Sequence, residues 1–393
     1  MIGQELIERV RDRLACDGVN LDPAHIAEAV RAEYGGVAGD TDVLTALRVL
    51  DSEFTGFGRL EELLRDDQVS DVLVTAPDEV WVDGAGGLRR SGVCFPGEDS
   101  VRSLAQRLAL AAGRRLDEAV PYVDGWLTAG GRQVRLHAVL TPVAADGTCI
   151  SLRVLRQARH DLDELRRLGT FDAATAELLR AIVCARLAFL VVGATGSGKS
   201  TLLSALLGCV PAGERIVCVE DAGELAPDHP QFVRLIARQP NVEGAGEVTQ
   251  RDLVRQALRM RPDRIVVGEV RSVEVGDLLS ALNTGHDGGA GTLHANAPEE
   301  VPARLEALAA LAGLDRAALH SQLAAAVQLV LFMRRDGTGS RRLTEIALLT
   351  RRGAYVRAVP AWRLDTAGGA DWAAGKDELL RLLANRGAGV IAC

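Results

Sequence analysis

Residues 187–201 read LAFLVVGATGSGKST, and no other stretch limits the fold as much. An apolar run enters Gly193-Ala194-Thr195-Gly196-Ser197-Gly198-Lys199-Ser200, the G-x-x-x-x-G-K-[ST] pattern, and Thr201 follows it. The glycines let the backbone curl with its N–H groups turned inward, where they can cradle phosphate oxygens. A helix starting at Lys199 would point its positive dipole end at the same anion. Lys199 can then reach the β- and γ-phosphates, and the Ser200 hydroxyl can hold Mg²⁺. A turn that merely joins a strand to a helix does not require all eight positions in register. The stretch therefore predicts a phosphate loop, placed after a strand and before a helix.

The chain around this loop alternates strand and helix from residue 172 onward. Residues 215–220 and 264–268 are further apolar strands, 233–235 is a third candidate, and 249–260 and 273–283 are helical. Residues 298–331 read as helical with a break near Gly313, and 343–349 with 355–359 as a terminal hairpin. That rhythm predicts a parallel sheet with helices on both faces. Acids at the ends of such strands lie beside the phosphates. Glu269, after Ile265-Val266-Val267-Gly268, is the candidate for orienting or deprotonating the attacking water. Glu220, ending the strand at 215–220, is preferred over Glu224 as a second carboxylate for the metal, and Asp221 is a candidate helix cap. His286 and His294 flank a glycine-rich loop that would let backbone and imidazole approach a ligand. Arg255, Arg259, Arg261 and Arg271 flank the Glu269 strand, and spacing does not choose among them.

Residues 60–155 have a different texture. Short strands at 69–75, 80–82, 122–127, 134–140 and 149–154 surround a helix at 101–112, which predicts an α+β domain with an antiparallel sheet. The expected organisation is a helical arm at 1–58, an α+β domain at 59–156, a linker at 157–171, a phosphate-loop domain at 172–360 and a tail at 361–393. At 393 residues two domains are the default. The net charge of −8 argues against a dedicated nucleic-acid binder. Seven cysteines stand singly with no C-x-x-C pair, which argues against zinc and for a reduced cytoplasmic setting. The first residues lack the apolar core of a signal peptide, and the longest apolar run, 324–333, is too short to span a bilayer.

Four blocks together, GATGSGKST, VEDAGEL, RMRPDRIVVGEVR and TGHDGGAGTLHAN, resemble the Walker A, Asp box, Walker B and His box of the type II/type IV secretion ATPases. The branch resembled most is that of the Tad/Flp pilus ATPases, and within it the actinobacterial conjugal-transfer-associated proteins. The likeness covers roughly residues 60–350. It implies an α/β, RecA-like phosphate-loop ATPase domain preceded by a smaller α+β, PAS-like domain. It also implies homo-hexameric rings that hold ATP and Mg²⁺ between two domains and drive pilus assembly, or secretion, through an inner-membrane platform protein from the cytoplasmic face. Carried over by position, Glu269 is the Walker B acid, Glu220 the Asp-box acid and His294 the His-box histidine. Arg135 and Arg153 would reach the phosphates from the first domain, with Arg132 as the alternative to Arg135. Thr75-Ala76 stands where the family usually has Asn-Gly, and Trp126 where it often has arginine. The alternative function is a DNA-translocating or conjugation-associated phosphate-loop motor.

Overall fold

The computed structural model describes residues 56–84, 86–364 and 369–388, with Ala32 alone before them. The expected helical arm at 1–58 therefore lies almost wholly outside the described residues. The described residues form two compact units, one running to Arg156 and including Asn241–Glu243, the other holding the rest from Gln157 onward.

In the first unit, α1 (Glu61–Arg65) and α2 (Glu98–Ala111) accompany six strands: β1 (Val69–Ala76), β2 (Glu79–Gly84), β3 (Arg89–Arg90), β4 (Tyr122–Ala129), β5 (Arg132–Val139) and β6 (Cys149–Val154). The sheet is antiparallel throughout, in the order β3-β2-β1-β6-β5-β4. Alternation sorts its two faces. Val72, Leu136 and Leu152 join Leu104 and Leu108 of α2 in one core. The other face carries a row of cross-strand neighbours, Asp71, Arg153, Arg135 and Trp126.

The second unit is built on nine strands in the order β15-β14-β13-β12-β7-β11-β10-β8-β9. They are β7 (Phe189–Val192), β8 (Ile216–Glu220), β9 (Phe232–Ile236), β10 (Arg264–Val270), β11 (Ala290–Leu293), β12 (Leu329–Arg335), β13 (Arg341–Arg352), β14 (Tyr355–Leu364) and β15 (Ala370–Trp372). The strands from β12 to β9 run parallel, and β13 to β15 extend the sheet antiparallel. The inner strands are built on apolar runs because both faces are covered. Phe189, Val191, Ile216, Cys218 and Val266 face one core, and Leu190, Val192, Val217, Val219, Ile265 and Val267 face the other. Helices α3 (Leu162–Arg167), α4 (Ala173–Cys184), α5 (Lys199–Gly208) and α10 (Lys376–Asn385) supply residues to the first core. Helices α6 (Gln250–Ala257), α7 (Glu274–Leu282), α8 (Val301–Leu311) and α9 (Arg316–Ala326) supply the second.

Two expected features differ. Residues 157–171, read as linker, carry α3, whose Leu162 and Leu165 are buried in the first core. The helical reading of 298–331 runs too far, since Leu329 begins β12, paired with β7. The helix stops because Val327 turns extended, with φ −123 and ψ 124. The Gln328 amide bridges the junction, accepting from Ala188 N and donating to Ala325 O. In the tail, α10 buries Leu379 and Leu383 against the sheet. No helix among the described residues is long and apolar enough to cross a membrane.

Candidate functional site

The phosphate loop joins β7 to α5, at the carboxyl edge of the parallel strands. Gly198 caps α5 in the left-handed region, φ 95, where only glycine sits without strain. A Cβ on Gly193 would meet the Met333 carbonyl oxygen and come within 2.6 Å of the Ser197 hydroxyl. The loop is thus packed from behind and open in front. The Lys199 ammonium folds over it, donating to the carbonyls of Gly193 and Ala194 at 3.0 Å each. Burial lowers the Lys199 pKa, against the pull of the nearby Glu269 and Glu224 carboxylates.

The two acids of the Asp-box segment take opposite places from those expected. Glu224, not Glu220, accepts the Ser200 hydroxyl at 2.8 Å. Glu220 is 3% exposed, and its Oε1 accepts the backbone N–H groups of Glu224 and Leu225 at 3.1 and 3.0 Å. Arg234 stands 3.4 Å from the other oxygen and also donates to the Leu225 carbonyl. Burial pushes the Glu220 carboxyl up to about 7, against those amide bonds and Arg234. The segment after β8 does not continue as a helix; it folds back, and the Glu220 carboxylate holds the fold that presents Glu224. Glu220 thus supports the segment, and Glu224 is the carboxylate bonded to Ser200 in this structure. Gly268, on the neighbouring strand, leaves room for the Glu220 carboxyl. A Cβ there would lie 2.7 Å from Glu220 Cγ.

Glu269 lies on β10, half-buried and paired with Arg271, which also reaches Asp221 at 3.5 Å. Asp221 caps no helix in the structure. The turn after β10 is fixed by the buried Glu274, whose Oε1 accepts from Arg271 N and Ser272 N at 2.6 and 2.7 Å. Of the other candidate arginines, Arg255 is bound to Asp277 at 2.8 Å on α7. His294 follows the last residue of β11, and Leu293 of that strand pairs with Val192 beside the loop. His286 precedes β11, at the opposite edge of the sheet, with Nδ1 3.1 Å from the Ala281 carbonyl. The glycines between the two histidines serve packing: a Cβ on Gly289 would lie 2.6 Å from Ile265 O, and one on Gly291 2.9 Å from Val267 O. They bring β11 against β10, and this replaces the expectation that they open the loop to a ligand.

In the first unit, described by itself, Arg135 makes a two-pronged bond to Asp124, 2.9 and 2.7 Å, and Arg153 binds Asp71 at 2.7 Å. Arg132 donates to Asp67 and to the Leu64 carbonyl.

The donor set suits a nucleotide with Mg²⁺. Inward amides and an ammonium match phosphate, and the Ser200 hydroxyl with the Glu224 carboxylate are the hard oxygens that Mg²⁺ prefers. The fold and loop define a RecA-like phosphate-loop protein. Residues 53–344 match the Type II/IV secretion system protein family, and the chain belongs to that family. A Mycobacterium tuberculosis protein whose name assigns it to conjugal transfer is 66% identical over 346 residues, 87% of this chain and 98% of the relative. The type IV secretion system protein PtlH of Bordetella pertussis is 32% identical over 312 residues, 72% of this chain and 91% of the relative. Two solved structures share the fold, each with TM-score 0.51. The pilus retraction motor PilT with bound ADP is 21% identical over 84% of this chain and 87% of that one. The Legionella pneumophila ATPase DotB is 20% identical over 75% and 79%.

Proposed function

We propose that the chain hydrolyses ATP at the carboxyl edge of the nine-stranded sheet, as the Mg²⁺-dependent motor of a secretion or pilus machine. The carrying observation is that Lys199, Ser200 and Glu224 meet at the loop, with Glu269 close enough to act on the Lys199 charge. Loop amides hold the phosphates, and Lys199 exchanges its two carbonyl bonds for β- and γ-oxygens. Ser200 and Glu224 would hold Mg²⁺, which when bound neutralises charge on those oxygens. Glu269, released from Arg271, orients a water and takes its proton as the water oxygen bonds to the γ-phosphorus and the bond to the bridging oxygen breaks. His294, which follows β11, is a proposed polar contact to the γ-phosphate. Arg135 and Arg153 are proposed phosphate contacts, each of which must first leave its carboxylate.

The resemblance of the four blocks extends this proposal to a homo-hexamer of the Tad/Flp type, working in the cytoplasm on an inner-membrane platform protein. The name of the M. tuberculosis relative favours a second reading, a motor of conjugal DNA transfer, and the net charge of −8 weighs against it. The test is Glu269→Gln. Hydrolysis should fall by about 100-fold or more while ATP binding stays within about threefold, as for loss of a group used only in the transition state. Retained hydrolysis would remove Glu269 from the mechanism, and strong stimulation by DNA would favour the second reading.

A further inference from the structure

The β12–β13 hairpin ends in four arginines. Arg334 lies opposite Arg342, and Arg335 opposite Arg341. Like charges facing each other across strands cost stability, and the Arg342 charge acts on the nearby Asp336 carboxylate. One of them is engaged with the phosphate loop: Arg341 Nε donates to the Gly196 carbonyl at 3.0 Å. Its side chain crosses Gly198 so closely that a Cβ there would lie 3.2 Å from Arg341 Cδ. The turn that carries Arg341 is itself stiff. Asp336 Oδ1 accepts from Thr338 N, Thr338 Oγ1 and Ser340 N at 2.9, 2.6 and 3.0 Å, and the Thr338 hydroxyl and backbone bonds hold that carboxyl below its ordinary range. The backbone closes the turn between Asp336 and Ser340.

We infer that Arg341 is a positioning residue for the nucleotide, acting through the loop; the inference rests on the reading of this loop as a nucleotide site. A loop carbonyl points away from the phosphates while the N–H of the same peptide points in. The Gly196 carbonyl shares its peptide with the Ser197 N–H, which here donates to the Ala194 carbonyl at 3.3 Å and would exchange that bond for a phosphate oxygen. A guanidinium on that oxygen draws charge along the peptide, so Ser197 N–H becomes a stronger donor to phosphate. It also anchors the crown of the loop to a rigid hairpin, which lowers the ordering cost of binding. Both effects act on bound ADP and ATP alike, so they change affinity and leave the chemical step alone.

The test compares the full chain with Arg341→Ala, Arg341→Lys, Arg342→Ala and Lys199→Ala, using a fluorescent ADP for affinity and steady-state hydrolysis for KM and kcat. Arg341→Ala should weaken ADP binding and raise KM by about 5–10-fold, the worth of one ordinary hydrogen bond, since the bond lost is to the loop and not to the nucleotide itself. Its kcat should stay within about twofold. Arg341→Lys should recover most of the affinity, and Arg342→Ala, on the other face of the strand, should change little. Unchanged ADP affinity in Arg341→Ala, with binding abolished in Lys199→Ala, overturns the role of Arg341 alone. An equal loss in Arg342→Ala also overturns it, reducing the effect to a diffuse field. A wild-type chain that binds no nucleotide overturns the reading of the loop together with this inference.

Discussion

Replacing Glu220 by glutamine separates a supporting acid from a metal-binding one. The Glu220 carboxyl lies at about 7 against an ordinary 4.5, chiefly because burial disfavours the charged form. As pH rises through the unfolded value, the unfolded chain gives up this proton while the native chain keeps it. The native state then binds more protons, so stability falls with pH until the folded value is passed. The cost of the charge is about 1 kcal/mol at pH 5 and about 3 kcal/mol at pH 8. A glutamine at 220 keeps an oxygen for the amides of Glu224 and Leu225 and carries no charge, and Arg234 retains the Leu225 carbonyl. Measured by urea unfolding, the stability of Glu220→Gln relative to wild type should therefore rise by about 2 kcal/mol between pH 5 and pH 8. Hydrolysis should survive within a few-fold, while Glu224→Gln, which removes the charge facing Ser200, should abolish it. A stability difference that does not move with pH, joined to loss of hydrolysis in Glu220→Gln, would refute the reasoning and return Glu220 to the metal.

Two other substitutions probe the packing behind the site. Gly268→Ala puts a Cβ 2.7 Å from Glu220 Cγ and should lower stability by about 1–3 kcal/mol, as overpacking does. Adding Glu220→Ala should remove much of that loss in a double-mutant cycle, and additive losses would show that the two side chains do not meet. Leu162→Ala empties a buried position of α3 and should cost about 2–4 kcal/mol in thermal or urea unfolding; a cost near zero would mean that residues 157–171 behave as a linker after all.

The parts of the second unit legible in the sequence are those whose physics is local. Strands β7, β8 and β10 are read from apolar runs because both of their faces are buried. The loop is read because eight positions carry separate duties. Strand β12 was hidden for the converse reason. Alanines of α9 lead into Leu329 with no glycine or proline between them, and the break is made by a side chain, Gln328, bonding to the start of the neighbouring strand run. Helix α3 did leave a mark. Asp161 and Glu164 form a reciprocal cap, each side chain bonding the other's backbone N–H, and that D-x-x-E pattern before Leu165 could have turned the linker reading into a helix.

The exchange of roles between Glu220 and Glu224 left no such mark, and its cause is not local. Alternation puts Glu220 on the same face of β8 as Ile216 and Cys218, toward the core shared with α5. An acid arriving there at a strand end has little water and must find donors. It finds them in the amides four and five residues ahead, which closes the segment after β8 and swings Glu224 out to Ser200. That solution needs room, and the room is made on the next strand by the missing side chain of Gly268. The glycine at 268 and the buried carboxyl of Glu220 are thus one arrangement, spread over residues that only the sheet brings together. Arg341 belongs to the same class: 145 positions separate it from the Gly196 carbonyl it holds, and only the pairing of β12 with β7 carries its hairpin to the loop.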